Sequence, residues 1–582
     1  MKELVSRQFV KYLENRGIKH VFGICGHTNI AVLAEMEKSS IKFVNGRHEQ
    51  ILAHAADGYA RVTREASVVL LHIGPGMTNA VTSVATAALD CTPMVIVAGD
   101  IASHFYGKNG QQEVSLHADG SQYEIFRPIV KRAWRVERPE HFPEIIEKAF
   151  QLAVSGQPGP VLVDVPMDIF SRECDTALFE RLSHNAKTFH KPSIDDATAE
   201  RIVRTLMQAR KPHLHVGGGI VLAGAADELR EFVDHMSIPV SYSAMGKGAL
   251  PDDHPFSLGM AGFWGTKFIN GQCLQADYIM ALGTRFAEAD SSSWEPGYTF
   301  NIPPTKLIHI DIEASEIGRN FPVEIGVVAD LKQALTVLNR VAKSLYPQGR
   351  KDVALKQEIA ANKEAFRAQN SENVASNAYP MRPERILAEV REVLPRNAII
   401  TTDVGWNKNG VGQQFPVLVP GGVLTPGGFA TMGFGAPAAL GAKIAAPDRV
   451  VVSLVGDGGF GQNPALLATA VEDNVATIWV IMNNNAYGVI AGLEKAHFGT
   501  TFGTIFPKGL PDYAAIARAY GAEGVSVKSA EEFRSAMEQA VKSNRPFVID
   551  VQMQNVPTPT AGHWNIMDIY SPNRQVHHVS TD

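Results

Sequence analysis

The stretch Val450–Gly488 decides the fold, and it reads VVVSLVGDGGFGQNPALLATAVEDNVATIWVIMNNNAYG. It opens with the apolar run Val450–Val455, which predicts a buried strand of a parallel sheet. A glycine-rich Gly-Asp-Gly segment follows, and then come a helical pattern from about 464 to 472 and a second apolar strand from 477 to 482. The order strand, helix, strand predicts a βαβ unit.

Polar side chains follow both strands of this unit. Asp457 comes after the first strand and Asn484 after the second. Because parallel strands end at the same edge of a sheet, where open α/β sheets bind ligands, we expect the two side chains to lie side by side. Carboxylate and amide oxygens suit a small hard cation such as Mg²⁺, which takes further ligands from phosphate groups. A structural turn after a buried strand is the alternative.

The bulk composition is that of an ordinary globular protein. The chain has 582 residues with 45% apolar and 20% charged residues, which predicts three or four domains. The formal net charge of −6 gives no reason to expect a nucleic-acid partner. No 18-residue apolar run predicts a membrane span, and the N-terminus lacks a signal-peptide pattern, so a cytoplasmic location is expected. The scattered cysteines are expected to be buried thiols in a reducing cytosol: Cys25, Cys91, Cys174 and Cys273.

Alternating helix and strand patterns recur in three blocks. They predict an α/β fold with three doubly wound parallel-sheet domains, at 1–178, 192–345 and 376–556. The connecting stretch 175–195 is polar and irregular, and 348–377 is expected to be partly helical. For the tail 557–582 two alternatives are open, a lid that closes over the site and a disordered segment.

Further motifs occur outside the opening stretch, and their order is informative. They are Gly46-Arg47-His48-Glu49, His72-Ile73-Gly74-Pro75-Gly76-Met77-Thr78-Asn79, Gly217-Gly218-Gly219 and Thr431-Met432-Gly433-Phe434-Gly435. Together with the Gly-Asp-Gly segment, this order resembles thiamine-diphosphate enzymes of the acetohydroxyacid synthase and pyruvate oxidase type. The resemblance covers roughly residues 3 to 555, and it implies a pyrimidine-binding, a central and a diphosphate-binding domain.

The resemblance implies a role for each matching residue. Asp457, Asn484 and the backbone carbonyl of Ala486 match the Mg²⁺ ligands that hold the diphosphate. Glu49 matches the carboxylate that bonds the aminopyrimidine and so promotes removal of the thiazolium carbon-2 proton, the step that prepares the cofactor for carbanion chemistry. Met432 matches the residue that bends the cofactor, with plain core packing as the alternative. The other implied cofactor contacts are Gly74, Gly76, Asn79, Gly456, Gly458, Gly459, Tyr487 and Gly488.

The implied substrate pocket departs from the acetohydroxyacid synthase pattern. Gln112 matches an active-site glutamine, but Gln111 stands where that family has phenylalanine. Leu493 stands where the family has the tryptophan that selects a second 2-oxo acid. Arg285 matches an arginine that holds the acceptor carboxylate. These departures leave the substrate open.

Two histidines, His27 and His72, stand where acetohydroxyacid synthases have none. A similar pair with a glutamine like Gln112 is found in the cyclohexane-1,2-dione hydrolase branch of the superfamily. A histidine can protonate a carbanion or alkoxide near neutral pH, or donate to a substrate carbonyl. Loop histidines that are satisfied by backbone atoms are the alternative.

Two more properties follow from the resemblance. The segment Leu258–Thr266 resembles a flavin-contacting segment, although Phe263 and Trp264 replace methionine and histidine there and disfavour FAD. The pyrimidine and diphosphate halves of one site belong to different subunits in the family, which implies a homodimer at least and a homotetramer as the expected assembly.

The resulting functional hypothesis is a thiamine-diphosphate- and Mg²⁺-dependent enzyme that cleaves and joins carbon–carbon bonds of a 2-oxo acid or 1,2-dicarbonyl compound. One alternative is a lyase or hydrolase of a diketone or a sulfoacetaldehyde-type substrate. The other is a non-catalytic scaffold that binds the cofactor. Intact Glu49, Asp457 and Asn484 argue against the scaffold.

Overall fold

Three six-stranded, all-parallel β-sheets form the framework of the chain in a computed structural model, which describes residues 1–114, 122–184, 190–506 and 511–564. The central strands of each sheet are buried apolar runs joined by helices, as expected for sheets covered on both faces. The predicted fold class, α/β with three doubly wound parallel sheets, is confirmed. The domain bounds 1–178, 192–345 and 376–556 stay a prediction.

The N-terminal sheet has the strand order β3-β2-β4-β5-β7-β6. Its strands are β2 His20–Gly23, β3 Lys42–Asn45, β4 Ser67–Leu71, β5 Met94–Asp100, β6 Ala133–Arg135 and β7 Pro160–Pro166. A separate antiparallel pair joins β1 Lys2–Leu4 to β8 Glu173–Asp175. The helices of this region are α1 Val5–Asn15, α2 Ile30–Met36, α3 Glu49–Thr63, α4 Pro75–Leu89, α5 Gln122–Phe126, α6 Phe142–Val154, α7 Met167–Phe170 and α8 Ala177–Glu180.

The central sheet has the order β11-β10-β9-β12-β13-β14. Its strands are β9 Pro212–Val216, β10 Val240–Tyr242, β11 Ser257–Met260, β12 Tyr278–Leu282, β13 Lys306–Asp311 and β14 Ile325–Val328. The accompanying helices are α9 Asp196–Gln208, α10 Gly219–Ala223, α11 Ala226–Met236, α12 Lys267–Gln275, α13 Leu331–Leu345 and α14 Val353–Val374.

The C-terminal sheet repeats the winding of the N-terminal one, with the order β16-β15-β17-β18-β20-β19. Its strands are β15 Ile399–Thr402, β16 Val423–Leu424, β17 Val451–Gly456, β18 Ile478–Asn483, β19 Glu523–Val527 and β20 Phe547–Gln552. The helices are α15 Pro383–Val393, α16 Trp406–Gln414, α17 Gly435–Ala445, α18 Asp457–Gln462, α19 Leu466–Glu472, α20 Gly488–Phe498, α21 Tyr513–Ala519 and α22 Ala530–Ser543. In these two sheets the order reverses between β2 and β4 and between β15 and β17, and the carboxyl edge at such a reversal is where open α/β sheets bind ligands.

Sheet edges account for the strands that the sequence patterns missed. The strands β6, β11, β14, β16 and β19 all lie at an edge, and most of them are only partly buried. An edge strand has one neighbour and less buried surface, so it lacks the continuous apolar run by which a central strand is predicted.

Other expectations were wrong in detail. The helix α19 confirms the helical pattern predicted near 464–472, but the short helix α18, which begins at Asp457, was not predicted because glycines hide its periodicity. The stretch predicted to be irregular contains α8, whereas the partly helical second connection is confirmed by α14, which spans 22 residues there. Cys174 and Cys273 are buried as expected, but Cys25 is exposed and Cys91 half-buried. Within the described ranges, no helix is both long enough and apolar enough to cross a membrane.

The chain divides into two compact units. One contains residues 1–190, 373–408 and 421–556, and so holds the N-terminal and C-terminal sheets; the other contains 191–372, 409–420 and the residues from 557 onward, and holds the central sheet. Within the first unit α3 packs against α17 at very short range. A Cβ atom at Gly441 would lie 1.7 Å from Ala55 O, and one at Gly58 would lie 2.2 Å from Ala438 O. Only glycine allows the two helix backbones to approach so closely.

A buried ion cluster adds to this packing. Arg61, near the end of α3, donates to the carboxylate of Asp57 and at 2.8 Å to Asp90 Oδ2. The Asp90 carboxylate also accepts from the backbone N–H groups of Gly427 and Gly428, at 2.9 and 2.7 Å. All three charged side chains are at least 90% buried, so each depends on the others for the partners that water would supply.

We expect Asp90→Ala to destabilise the first unit by about 3–5 kcal/mol, because it removes one of the two carboxylates that pair the buried Arg61 guanidinium and leaves the N–H groups of Gly427 and Gly428 without their acceptor. Chemical unfolding followed by tryptophan fluorescence measures the change. The control is Glu124→Ala, which removes the exposed Glu124–Arg127 pair and should leave the unfolding midpoint unchanged. Equal midpoints for both variants would contradict the assignment.

Candidate active site

The first cluster of predicted site residues forms around Glu49, the first residue of α3. The His48 side chain caps this helix by accepting from Gln50 N at 3.2 Å. The Glu49 carboxyl is only 8% exposed, and its Oε2 accepts from Asn79 Nδ2 at 2.9 Å. Its Oε1 lies 3.2 Å from the place that a Cβ at Gly76 would take. The structure therefore brings Glu49, Gly76 and Asn79 together.

Gly74 opens α4 in a conformation that requires glycine. Its φ is +54°, and a Cβ there would lie 2.1 Å from Gln112 O. Gln112 itself has a φ of +65°, which is unusual for a residue with a side chain. The two loops are thus in direct contact, and Gln112 reaches the Glu49 cluster through Gly74.

The two predicted histidines follow the strands that flank the reversal of strand order. His27 comes after β2 and His72 after β4, and their ring centroids lie 4.8 Å apart. His72 Nε2 lies 2.9 Å from Gln112 Oε1, and His72 Nδ1 lies 3.0 Å from Thr28 Oγ1. Because the Gln112 oxygen can only accept, Nε2 carries the proton and Nδ1 accepts from the hydroxyl. The partners of His72 are therefore side chains of the cluster, and not the backbone atoms of the alternative interpretation.

Partial burial, and next the neighbouring His72, lower the pKa of His27 below its ordinary value. Its imidazole is therefore neutral near pH 7 and able to accept a proton. An exposed ring with this protonation state is suited to acid–base work on a bound substrate.

The second cluster forms where β17 and β18 end. The side-chain amide of Asn484 lies 3.1 Å from Asp457 Oδ1 and 2.9 Å from Ala486 O. The Asn484 amide can take two orientations. In one, its nitrogen donates to Asp457 Oδ1 and Ala486 O. In the other, its nitrogen donates to Asn555 Oδ1 at 3.3 Å, and its oxygen faces Asp457 Oδ1 and Ala486 O. In the second orientation three oxygens converge without a proton between them, and a cation stabilises such a set.

The Asp457 carboxyl gives a separate test of this metal site. It is 2% exposed, and its Oδ2 has no hydrogen-bond partner. Burial raises its pKa to about 6. A divalent cation would satisfy the orphaned oxygen, so the residues fit Mg²⁺. Among the described residues no group of three His, Cys, Asp or Glu side chains could hold a metal, so this site depends on one carboxylate with amide and carbonyl oxygens.

The remaining predicted cofactor residues surround this cluster. A Cβ at Gly458 would lie 2.7 Å from the Tyr487 ring and 3.4 Å from Met432 Sδ. A Cβ at Gly488 would lie 2.5 Å from Asn484 Nδ2, whereas one at Gly456 would make only an ordinary contact. Met432, Tyr487 and the glycine segment are therefore neighbours, as a shared role in holding one ligand requires.

Asp403 belongs to this cluster, although the motifs did not include it. It follows β15, and its buried carboxylate accepts from the backbone N–H groups of Gly433 and Gly435 at 2.9 to 3.0 Å. A Cβ at Gly459 would lie 2.8 Å from the same carboxylate. Asp403 thus fixes the Met432 loop beside the glycine segment. The signal that could have found it is a polar tip after an apolar strand, the same pattern that identified Asp457.

The three candidate substrate residues lie on different elements of the chain. Gln111 is exposed beside Gln112, and Leu493 is half-buried on α20. Arg285 lies in the second unit, where Asn320 Nδ2 donates to its backbone oxygen at 3.0 Å. The substrate roles of these residues stay a prediction.

The flavin-like segment is occupied by the chain itself. Phe263 O accepts from the backbone N–H groups of Ala561 and Gly562, at 3.1 and 3.2 Å. The Trp564 ring packs against Phe263 and Trp264, with centroids 5.5 Å from each. These contacts do not fit a flavin bound along this segment. The predicted lid 557–582 extends beyond residue 564, and that part lies outside the described residues.

Comparisons with known proteins agree with this geometry. Models of thiamine pyrophosphate enzymes match in chain order: the N-terminal TPP binding domain over residues 4–121, the central domain over 199–338 and the C-terminal TPP binding domain over 403–551. A probable acetolactate synthase large subunit of Methanocaldococcus jannaschii is 32% identical over 94% of this chain and 91% of its own length. The acetolactate synthase isozyme 3 large subunit of Escherichia coli is 32% identical over 94% of both chains.

We expect His27→Ala to reduce turnover about 10²- to 10⁴-fold while cofactor affinity stays within a few-fold, because general acid–base groups contribute on that scale. Steady-state kinetics and a cofactor titration measure the two effects. His20→Ala is the control, since His20 lies at the amino end of β2, whereas His27 follows the carboxyl end of that strand. An unchanged rate in His27→Ala would remove His27 from the mechanism.

Proposed function

This chain belongs to the family of thiamine pyrophosphate enzymes that includes the acetolactate synthases, and on that premise we propose that it cleaves and joins carbon–carbon bonds at the carbonyl of a 2-oxo acid or 1,2-dicarbonyl compound. The observation that carries the proposal is the pair of clusters, one around Glu49 and one around Asp457, at the carboxyl edges of two sheets with the same winding. Thiamine diphosphate and Mg²⁺ are the proposed cofactors.

Asp457, Asn484 and the Ala486 carbonyl would hold Mg²⁺, and through it the diphosphate. Gly456, Gly458, Gly459 and Gly488 are proposed to bind phosphate oxygens through their backbone N–H groups. When bound, thiamine diphosphate supplies an electron sink for carbanion chemistry.

The side chains of the protein itself are proposed to transfer protons and to orient the cofactor and the substrate. Asn79 donates to Oε2 of Glu49, so Oε1 would be the oxygen that bonds the aminopyrimidine of a bound cofactor. His27 is proposed to move a proton to or from the substrate. Gln112 uses its Oε1 on His72, which leaves its Nε2 to donate to a substrate carbonyl. Met432 is proposed to support the bent form of the cofactor.

A lyase or hydrolase acting on a 1,2-diketone or a sulfoacetaldehyde-type compound is the second candidate. The contact of His27, His72 and Gln112 favours it, since this pair of imidazoles can activate water or protonate a product carbanion. The polar, exposed Gln111 and the aliphatic Leu493 do not select between the candidates. A cytoplasmic location is part of the proposal, and the free cysteines support it.

Product analysis distinguishes the candidates. We expect turnover of a 2-oxo acid or dicarbonyl substrate that is lost on chelation and restored by Mg²⁺ with thiamine diphosphate. Acetolactate from pyruvate alone indicates the carboligase. Acetaldehyde from pyruvate, or cleavage only of cyclohexane-1,2-dione or sulfoacetaldehyde, indicates the second candidate. No turnover of the whole panel, despite cofactor binding, would sink both and leave the non-catalytic scaffold.

The proposal includes a homodimer at least, with a homotetramer expected, and sites that combine the Glu49 cluster of one subunit with the Asp457 cluster of another. Two variants, Glu49→Gln and Asp457→Asn, test this arrangement. Each should be inactive alone and keep the wild-type sedimentation coefficient.

When the two variants are unfolded, mixed in equal amounts and refolded, about one quarter of the wild-type activity should return, because half of the dimers are mixed and each mixed dimer has one intact site. The activity of wild-type enzyme that has been unfolded and refolded in the same way is the reference for full activity. If both clusters of a site came from one chain, no activity would return; an active monomer in sedimentation would equally contradict the arrangement.

A further inference from the structure

Gln122, the first residue of α5, is a buried amide behind the Glu49 cluster. It is 1% exposed, and its Oε1 accepts from Gly74 N at 2.8 Å. Its Nε2 donates to Gly99 O at 3.1 Å and to Asp164 Oδ1 at 2.7 Å. Since Gly74 N can only donate and Gly99 O can only accept, the orientation of the amide is fixed by its surroundings.

Asp164 lies on β7 and is fully buried. Arg135 Nε approaches its Oδ2 at 3.3 Å, and Arg135 Nη2 approaches Asp100 Oδ2 at 3.4 Å. Tyr106 donates to Asp100 Oδ2 at 3.0 Å. One guanidinium thus faces two carboxyl groups. Burial, and next the charge of Asp100, raise the pKa of Asp164 to about 8, so the carboxyl pair holds a proton near neutral pH.

On its other side Gln122 is connected to the residues proposed to contact substrate. The amide of Gln122 accepts from Gly74 N–H, and Gly74 packs against Gln112 O. The side chain of Gln112 in turn contacts His72, with Gln112 Oε1 2.9 Å from His72 Nε2. An unbroken series of contacts therefore joins the Asp164–Asp100 pair, in the interior, to Gln112 and His72 at the sheet edge.

We propose that Gln122 is a positioning residue that, held by Asp164, sets the conformation of the Gly74 loop and so the placement of Gln112 and His72; this inference rests on the proposed function. Gly74 has a φ of +54°, and its N–H points to Gln122 instead of to solvent. Without the amide, that N–H loses its partner and the loop relaxes toward other conformations. A displacement of about 1 Å at catalytic groups costs on the order of 10²-fold in rate.

Gln122→Leu removes all three hydrogen bonds of the amide at similar side-chain volume. We expect it to lower kcat about 10- to 100-fold. The matched control is Gln8→Leu, in the same sheet domain: Gln8 is 4% exposed, and its Nε2 donates to Glu3 O and Cys174 O at 2.9 and 3.0 Å. Both variants lose a buried amide and should lose similar thermal stability, but Gln8→Leu should keep the wild-type kcat.

The pH dependence of kcat in Gln122→Glu distinguishes a positioning role from a merely structural one. A protonated carboxyl can accept from Gly74 N and donate to Asp164, as the amide does, whereas a carboxylate would face Asp164, Asp100 and Gly99 O without a proton. Arg135 and Tyr106 are the other ionisable groups facing this pair. The ratio of kcat in Gln122→Glu to kcat in wild type should therefore be highest at acidic pH and fall as pH rises.

The wild-type enzyme is assayed first, so that absence of cofactor-dependent turnover counts against the proposed function alone. With an active wild type, two results overturn the positioning role: equal kcat in Gln122→Leu and Gln8→Leu, or a Gln122→Glu pH profile parallel to that of wild type. If Gln122→Leu does not fold, the Gln122→Glu profile decides.

Discussion

The close contact between α3 and α17 is the constraint on which the rest of the first unit depends. Gly58 and Gly441 bring the two backbones together, and no larger residue fits at either position. The helix α3 carries Glu49 at its start and the buried Arg61 near its end, so one rigid element connects a proposed catalytic carboxylate to the ion cluster that holds Gly427 and Gly428. Those glycines lead directly into the segment that contains Met432.

Buried polar groups then fix the loops that follow the strands of the N-terminal and C-terminal sheets. Asp403 holds the Met432 loop, Gln122 holds the Gly74 loop, and Asp90 holds the Gly427–Gly428 turn, each through backbone N–H groups. The loops rest on packed interior elements, and this arrangement suits sites that must hold a ligand in one geometry. The one buried carboxyl oxygen of the second cluster without a partner, Asp457 Oδ2, lies where a cation is proposed.

Functional side chains occupy equivalent places in the N-terminal and C-terminal sheets. His27 and His72 follow the strands that flank the reversal in the first, and Asp403 and Asp457 follow those that flank it in the second. The same winding thus carries the proposed proton-transfer groups in one domain and the proposed metal and phosphate ligands in the other. This separation explains why each half shows a weak motif by itself and why the motifs are informative only together.

The sequence by itself determined the three parallel sheets, since long apolar runs that end in polar, glycine-flanked tips have few other structures to adopt. It also predicted that Asp457 and Asn484 lie side by side, because strand ends in such sheets meet at one edge. Glu49 and the histidine pair were identified through the resemblance to thiamine-diphosphate enzymes. Only the tertiary structure decided the edge strands, the partners of His72, and the roles of Asp403, Gln122 and Asp90. Most hydrogen bonds of these residues join positions that are 30 or more residues apart in the sequence. Examples are the bond from Gln122 to Asp164 and the bond from Gly427 to Asp90. Local periodicity records which face a residue occupies and contains nothing about a distant backbone N–H, so contacts of this kind are settled only when the sheets and helices have packed.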